Sequence, residues 1–331
     1  MAISELTLAG NDDADDVRRP LPNDRSQSDR VFRATSKAMG ALVLVIMGLI
    51  GLFLFAHGFS AIRHGGLQFF TGSKWLPESG TYGIAAVLLG TVLIAVTALL
   101  IAVPVAIGTA LFLTDYAPSW LRRPMTSLVD LLAAIPSLIF GIWGFVVLQK
   151  REIKISAWLT NHLSFIPIFR TTGINYASST FIAGTVVAVM VIPIATAVMR
   201  EVFAQAPPGE REGALALGGT KWGMIRSVVL PFGRGGIVGG AMLGLGRALG
   251  ETIAVVLIIS PSFDLHGLLR PLDSGGNSIA ALIVQKFFES SDVGKTALIG
   301  AGLVLFVMTL VVNVFASMIV SRSRSGSAVE I

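Results

Sequence analysis

Residues 210–231 read EREGALALGGTKWGMIRSVVLP and lie between two strongly apolar stretches. Prolines precede this segment, and the acidic side chains at its start suit the positive N-terminal end of a helix. Gly218 and Gly219 then interrupt the helical pattern, and a second segment starts at Thr220. Since the segment is too charged to cross a membrane, we predict an exposed helix–turn–helix bracket, residues 207–231, that a partner protein can bind.

The overall composition is that of an integral membrane protein. Of the 331 residues, 53% are hydrophobic and only 14% are charged, whereas soluble domains carry roughly 25% charged residues. The mean hydropathy is +0.76. The chain has no cysteine, which excludes disulfides and thiolate metal sites, and its four histidines lack metal-ligand spacing. The net charge of +5 is attributed to basic loops facing the cytoplasm rather than to nucleic-acid binding.

Six stretches are long and apolar enough to cross the roughly 30 Å hydrocarbon core of a lipid bilayer. The predicted spans cover about 38–62, 82–113, 127–148, 177–203, 234–260 and 295–320. Residues 1–37 and 321–331 are polar and are predicted as tails, of which the first is flexible. With an even number of spans both ends lie on one side. Placing them in the cytoplasm also puts a small majority of the basic loop residues there.

The order of residues within the bracket matches a family motif. The matching residues are Glu212, Ala214, Gly218 and, after nine further residues, the run Val228-Val-Leu-Pro231. This order resembles the EAA loop of ABC-importer permeases, although Gly213 and Val228 stand where that loop usually has alanine and isoleucine. In that family the loop lies in the cytoplasm and docks into a groove on the ATPase subunit. The resemblance therefore assigns ATPase coupling to Glu212, Ala214, Gly218, Leu230 and Pro231.

Three further segments point to a narrower group of permeases within this family. They are DYAP at 115–118, LAAIPS at 132–137 and GLGRALGET at 244–252. Together they are similar to phosphate-importer permeases of the PstC type, and the similarity covers most of residues 38–320. The loop at 149–175 matches no motif of that family.

The resemblance implies an all-α integral membrane fold, the six-helix bundle of type I (MetI-like) ABC-importer permeases with a cytoplasmic coupling helix. It also implies partners: a sister permease of the PstA type, two ATPase subunits and an external phosphate-binding protein. ATP and Mg²⁺ would be bound by the ATPase subunits, and no cofactor by this chain. The expected location is the plasma or inner membrane, with several passes and both ends in the cytoplasm.

The predicted fifth span carries two ionisable residues, Arg247 and Glu251. Arg247 lies about 20 Å from the start of the span, near the bilayer midplane. Glu251 follows four residues later and is predicted on the same helix face. Such groups cost at least ~2.5–3.5 kcal/mol each at this depth, so they face a cavity or each other. Either the two form a buried ion pair, or Arg247 holds a translocating oxyanion in its planar donor fork and Glu251 orients it.

Weaker signals lie in the same spans. Thr252 and Ser137 are predicted to offer hydroxyls to the substrate pathway, the alternative being hydrogen bonds back to their own helices. Glycines spaced four residues apart over 236–244 form a row that lets another helix approach closely. Asp130 either pairs with an arginine on the cytoplasmic side or is simply solvated at the interface.

Enzyme motifs are incomplete in this sequence. The run Gly294-Lys-Thr296 is similar to the end of a phosphate-binding loop, but Glu289 occupies the position of the required earlier glycine. ATP chemistry is therefore expected of a partner. We predict a permease subunit of an ATP-driven inorganic phosphate importer that forms half of the translocation pathway. The alternatives are an importer for another oxyanion or small solute, and a membrane sensor or scaffold that transports nothing.

Overall fold

The structure is a computed structural model that describes residues 27–171, 173, 175–263 and 270–323. The rest of the chain, including most of both predicted tails, lies outside the described residues. The chain divides into two units, Met1–Ile50 and Gly51–Ile331.

Helices make up most of the described residues. In chain order they are α1 Gln27–Thr71, α2 Ala85–Leu111, α3 Ser119–Ala134, α4 Ser137–Trp143, α5 Gln149–Leu163, α6 Thr180–Ala204, α7 Pro208–Ala216, α8 Lys221–Met224, α9 Leu230–Phe232, α10 Arg234–Gly250, α11 Ile253–Ile258, α12 Ile279–Lys286 and α13 Asp292–Ser323. Single π-helical turns extend α2 (Phe112–Tyr116), join α4 to α5 (Gly144–Leu148) and join α8 to α9 (Ile225–Val229). A short antiparallel hairpin, β1 Trp75–Leu76 and β2 Thr81–Tyr82, follows α1.

Helix α1 begins earlier than the sequence predicts. Its first residue is Gln27, so residues 27–37 are helical rather than part of a tail. Asp29 lies in the first turn, where a carboxylate interacts favourably with the helix dipole. The apolar span therefore continues a helix that starts in the polar segment.

Four helices are each long and apolar enough to cross a membrane: Gln27–Thr71, Ala85–Tyr116, Thr180–Ala204 and Asp292–Ile319. Two further candidates are bent pairs. Ser119–Ala134 and Ser137–Leu163 meet at 93°, and Lys221–Phe232 and Arg234–Gly250 meet at 65°. The described residues thus hold four such spans, and six when each bent pair is taken as one.

The third predicted span, about 127–148, is not one continuous helix. Helix α3 ends at Ala134, Ile135 and Pro136 have extended backbone, and the chain restarts as a helix at Ser137. Proline has no N–H to donate, and its ring disfavours helical backbone at the residue before it. From Ser137 the helical stretch continues to Leu163, so the first part of the predicted loop at 149–175 is helical.

The fifth predicted span is also not continuous. Helix α10 ends at Gly250, Glu251 has extended backbone with ψ of 125°, and α11 starts at Ile253. The Oε1 atom of Glu251 accepts a hydrogen bond of 3.2 Å from the backbone N–H of Ala254. A carboxylate that caps the first turn of a new helix stabilises the break, because it satisfies one of the free N–H groups there.

The core is built on close packing of α2 against α6. Helix α2 presents a face of small side chains that are almost fully buried, namely Ala95, Ala98, Ala102, Ala106 and Ala110. On α6, a Cβ at Gly184 would lie only 2.7 Å from Cβ of Thr97. Small residues on both helices let the two backbones approach closely, as is typical of membrane helices.

The predicted glycine row of α10 faces α6. Gly236, Gly240 and Gly244 are all buried. A Cβ at Gly236 would lie 2.5 Å from Cβ of Val202, and one at Gly244 would lie 2.5 Å from Cγ1 of Val191. The prediction that this row admits a neighbouring helix is confirmed, and the neighbour is α6.

Replacing Gly236 with alanine is expected to lower the thermal midpoint of the purified complex. Val202 has a stiff branched side chain on the opposing backbone, and overpacking of this kind costs about 1–3 kcal/mol. Gly239 is the matched control, since a Cβ there meets nothing within 4 Å. The thermal midpoint of its alanine variant should equal that of wild type or lie slightly above it. Equal midpoints for the two variants would contradict tight packing at Gly236.

Candidate substrate and coupling sites

A cavity of about 250 Å³ lies between α6, α10 and α13. Its lining residues are Ile194, Met242, Leu243, Gly246, Arg247 and Asn313. The Nε atom of Arg247 is buried and has no hydrogen-bond partner among the described residues. Arg247 is also absent from the four ion pairs in that part of the chain. The cavity thus contains a cation whose donors are available to an anion.

The other predicted pathway residues do not line this cavity. Glu251 is only 8% exposed, and its carboxylate caps α11. Helix α10 ends at Gly250, directly before Glu251, and no ion pair joins Glu251 to Arg247 among the described residues, so the predicted alternative of a buried pair between them is not observed. The Oγ1 atom of Thr252 donates to the carbonyl of Gly250 at 3.0 Å, and Ser137 begins α4. A transport role for these three residues stays a prediction.

Asn313 is a cavity residue that the sequence analysis missed. It lies in α13 within a long apolar run, where a single amide gives a weaker signal than a charged group. A usable signal exists in hindsight, because Asn313 follows Thr309 and precedes Ser317 by four residues each, which places the three on one helix face.

The bracket has the local form that its sequence predicts. Helix α7 starts at Pro208, directly after Pro207, and ends at Ala216. Gly218 adopts a φ of +82°, a conformation that L side chains rarely adopt. The side chain of Thr220 then caps α8 by accepting from the N–H of Gly223 at 3.1 Å. The predicted helix, glycine turn and second helix are confirmed.

The motif residues of the bracket divide between surface and core. Glu212, Gly218 and Pro231 are exposed, whereas Ala214 and Leu230 pack against the main hydrophobic core. Leu217 is 91% exposed and Trp222 is 56% exposed. The bracket therefore presents apolar and acidic groups outward while its other side rests on the helix bundle.

An ion pair ties the bracket to the end of α2. Nη1 of Arg211 lies 2.9 Å from Oδ1 of Asp115, whose side chain is 3% exposed. Nη2 of Arg211 also donates to the carbonyl oxygen of Phe203 in α6. Oδ2 of Asp115 accepts a 2.7 Å hydrogen bond from Thr114. One arginine of the bracket is thus bound to two membrane helices at once.

A second contact lies on the other side of the glycine turn. Nζ of Lys221 lies 4.9 Å from the ring centroid of Tyr116, a cation–π geometry. Both helices of the bracket are therefore attached to the segment at 115–116.

Asp130 was predicted either to pair with an arginine or to be solvated. Its carboxylate lies 3.7 Å from Nη2 of Arg200, and its side chain remains half-exposed.

The chain matches a family model described as the inner membrane component of binding-protein-dependent transport systems, over residues 102–325. Phosphate transport system permease protein PstC 2 of Mycobacterium tuberculosis is 40% identical over 310 residues, which cover 91% of this chain and 94% of that protein. PstC of Haemophilus influenzae is 39% identical over 299 residues, covering 89% and 94%.

A solved structure shares the fold. It is a bacterial alginate ABC transporter in complex with an alginate pentasaccharide-bound periplasmic protein, and it matches with a TM-score of 0.57 at 18% identity, covering 93% of this chain and 100% of that chain. The family match spans more than half of the chain, and the relatives named above align along almost all of it. The chain therefore belongs to the family of inner membrane components of binding-protein-dependent transport systems, the permease subunits of ABC importers.

Proposed function

We propose that this chain is a permease subunit of an ATP-driven inorganic phosphate importer and forms half of its translocation pathway. The observation that carries the proposal is Arg247, whose unpaired Nε lies at a cavity between three membrane helices. An arginine so placed is costly in a membrane unless it serves an anion or a partner. The relatives named for phosphate transport support phosphate as that anion.

The proposed transport cycle uses alternating access. ATP and Mg²⁺ bind to two ATPase subunits, whose closure pushes on residues 209–221. The contacts of Arg211 and Lys221 pass this movement to the helix ends near Asp115. The helix bundle then changes conformation, so that the Arg247 cavity closes to the outside and opens to the cytoplasm. In this arrangement the bracket and both chain ends face the cytoplasm.

The remaining partners follow from this arrangement. A sister permease of the PstA type would supply the other half of the pathway, and an external phosphate-binding protein would deliver the anion. Many large apolar side chains of α1 and α13 are exposed in this chain, which suits contact with lipid or with a second permease.

The test is uptake of radiolabelled phosphate into vesicles that carry the complete complex. We expect ATP-dependent uptake that a tenfold excess of sulfate leaves unchanged. Uptake that sulfate or another small solute suppresses would favour an importer for that solute. A complex that assembles with its ATPase but takes up neither phosphate nor any of these solutes would favour the scaffold and overturn the proposal.

A further inference from the structure

Three polar side chains lie four residues apart in the otherwise apolar stretch 297–320 of α13, and they differ in their hydrogen bonds. Oγ1 of Thr309 donates to the carbonyl of Phe306 at 2.9 Å, and Oγ of Ser317 donates to the carbonyl of Val314 at 2.9 Å. Both hydroxyls are thus satisfied within their own helix. The amide of Asn313 forms no hydrogen bond among the described residues.

The Asn313 amide lies at the cavity that Arg247 lines. A Cβ at Gly246 would lie 3.7 Å from Oδ1 of Asn313, so this glycine leaves the amide room beside the α10 backbone. An amide without partners is costly in hydrocarbon. Asn313 is exposed in this chain, and it shares the cavity with an arginine whose Nε is unpaired, which favours a polar ligand over lipid.

The cavity suits a small tetrahedral anion. Its volume of about 250 Å³ is several times the roughly 30 Å³ of one water molecule, which leaves room for an anion and part of its hydration shell. A guanidinium provides donors only, whereas an amide provides two N–H donors and one acceptor oxygen. The pair therefore matches an oxyanion that itself keeps a proton.

We propose that Asn313 is a second binding residue of the anion site, acting beside Arg247. Its amide nitrogen donates a hydrogen bond to one oxygen of hydrogen phosphate, and its Oδ1 accepts a hydrogen bond from the anion's hydroxyl group. This assignment rests on the proposed function. It adds a residue of α13 to a site that the sequence placed on α10 alone, and it gives that site an acceptor that a fully deprotonated oxyanion cannot use.

The test measures phosphate transported per ATP hydrolysed by the complete complex in proteoliposomes at saturating binding protein. Asn313→Leu keeps a similar shape and removes the polar atoms; we expect the ratio to fall at least tenfold because the anion is no longer held during the cycle. Asn313→Asp keeps the shape but repels the anion, and should lower the ratio further. Thr309→Val is the matched control on the same face and should match wild type.

The outcomes separate this inference from the proposed function. If the wild-type complex takes up no phosphate, the proposed function fails whatever the variants do. If it does take up phosphate and Asn313→Leu has the same ratio as Thr309→Val, the role of Asn313 is overturned. Loss of the sister permease on co-purification with Asn313→Leu would also overturn it, since the amide would then be an assembly contact.

Discussion

Substitution of Arg247 by glutamine is expected to abolish phosphate uptake while the complex still assembles. The side chain lines the cavity without an ion-pair partner among the described residues, so its removal takes away the site's positive charge. Losing one partner of a desolvated charged contact costs about 2–5 kcal/mol, or roughly 30- to 4,000-fold. We expect a fall in initial uptake rate of about 100-fold or more, measured in vesicles that carry the complete complex.

Arg234 provides the control for this experiment. It begins the same helix and is exposed, so Arg234→Gln removes an equal charge from α10 without touching the cavity. Its uptake should stay near that of wild type. If Arg247→Gln transported phosphate as fast as this control, with the ATPase still co-purifying, the guanidinium would have only a packing role.

The sequence was most informative where structure depends on near neighbours. The bracket could be predicted because its prolines, its glycine pair and the capping Thr220 all act within a few residues of one another. The glycine row of α10 was also predictable from its spacing, although its partner helix was not. In both cases the decisive property belongs to a short segment.

One local break and several features that depend on tertiary contacts were missed. The break after Gly250 was not predicted because Glu251 was read as a charge in a continuous helix, whereas its carboxylate caps α11. The pairing of Arg211 with Asp115 joins residues 96 positions apart. The spacing of Thr309, Asn313 and Ser317 places them on one helix face, but only the tertiary packing shows that Asn313 lines the cavity beside Gly246.

Loss of the Arg211–Asp115 ion pair is expected to uncouple the ATPase from transport. Arg211→Gln would leave the carboxylate of Asp115, which is 3% exposed, buried without its countercharge. Breaking a buried pair from one side typically destabilises a protein by about 3–5 kcal/mol. Since the pair joins the bracket to α2 and α6, we expect a lower thermal midpoint of the complex. We also expect a fall of tenfold or more in phosphate transported per ATP hydrolysed.

A double variant shows whether Arg211 and Asp115 act as a pair or independently of each other. In Arg211→Gln with Asp115→Asn, both charges are gone and two amides can hydrogen-bond, so the thermal midpoint should recover much of the loss seen in the single variants. The matched control is the exposed pair of Lys295 and Asp292, 3.7 Å apart with the aspartate fully solvated, where Lys295→Gln should change nothing measurable. Additive effects of the two single substitutions would mean that Arg211 and Asp115 act independently. The bracket would then have to transmit movement by another route, of which the Lys221–Tyr116 contact is the nearest.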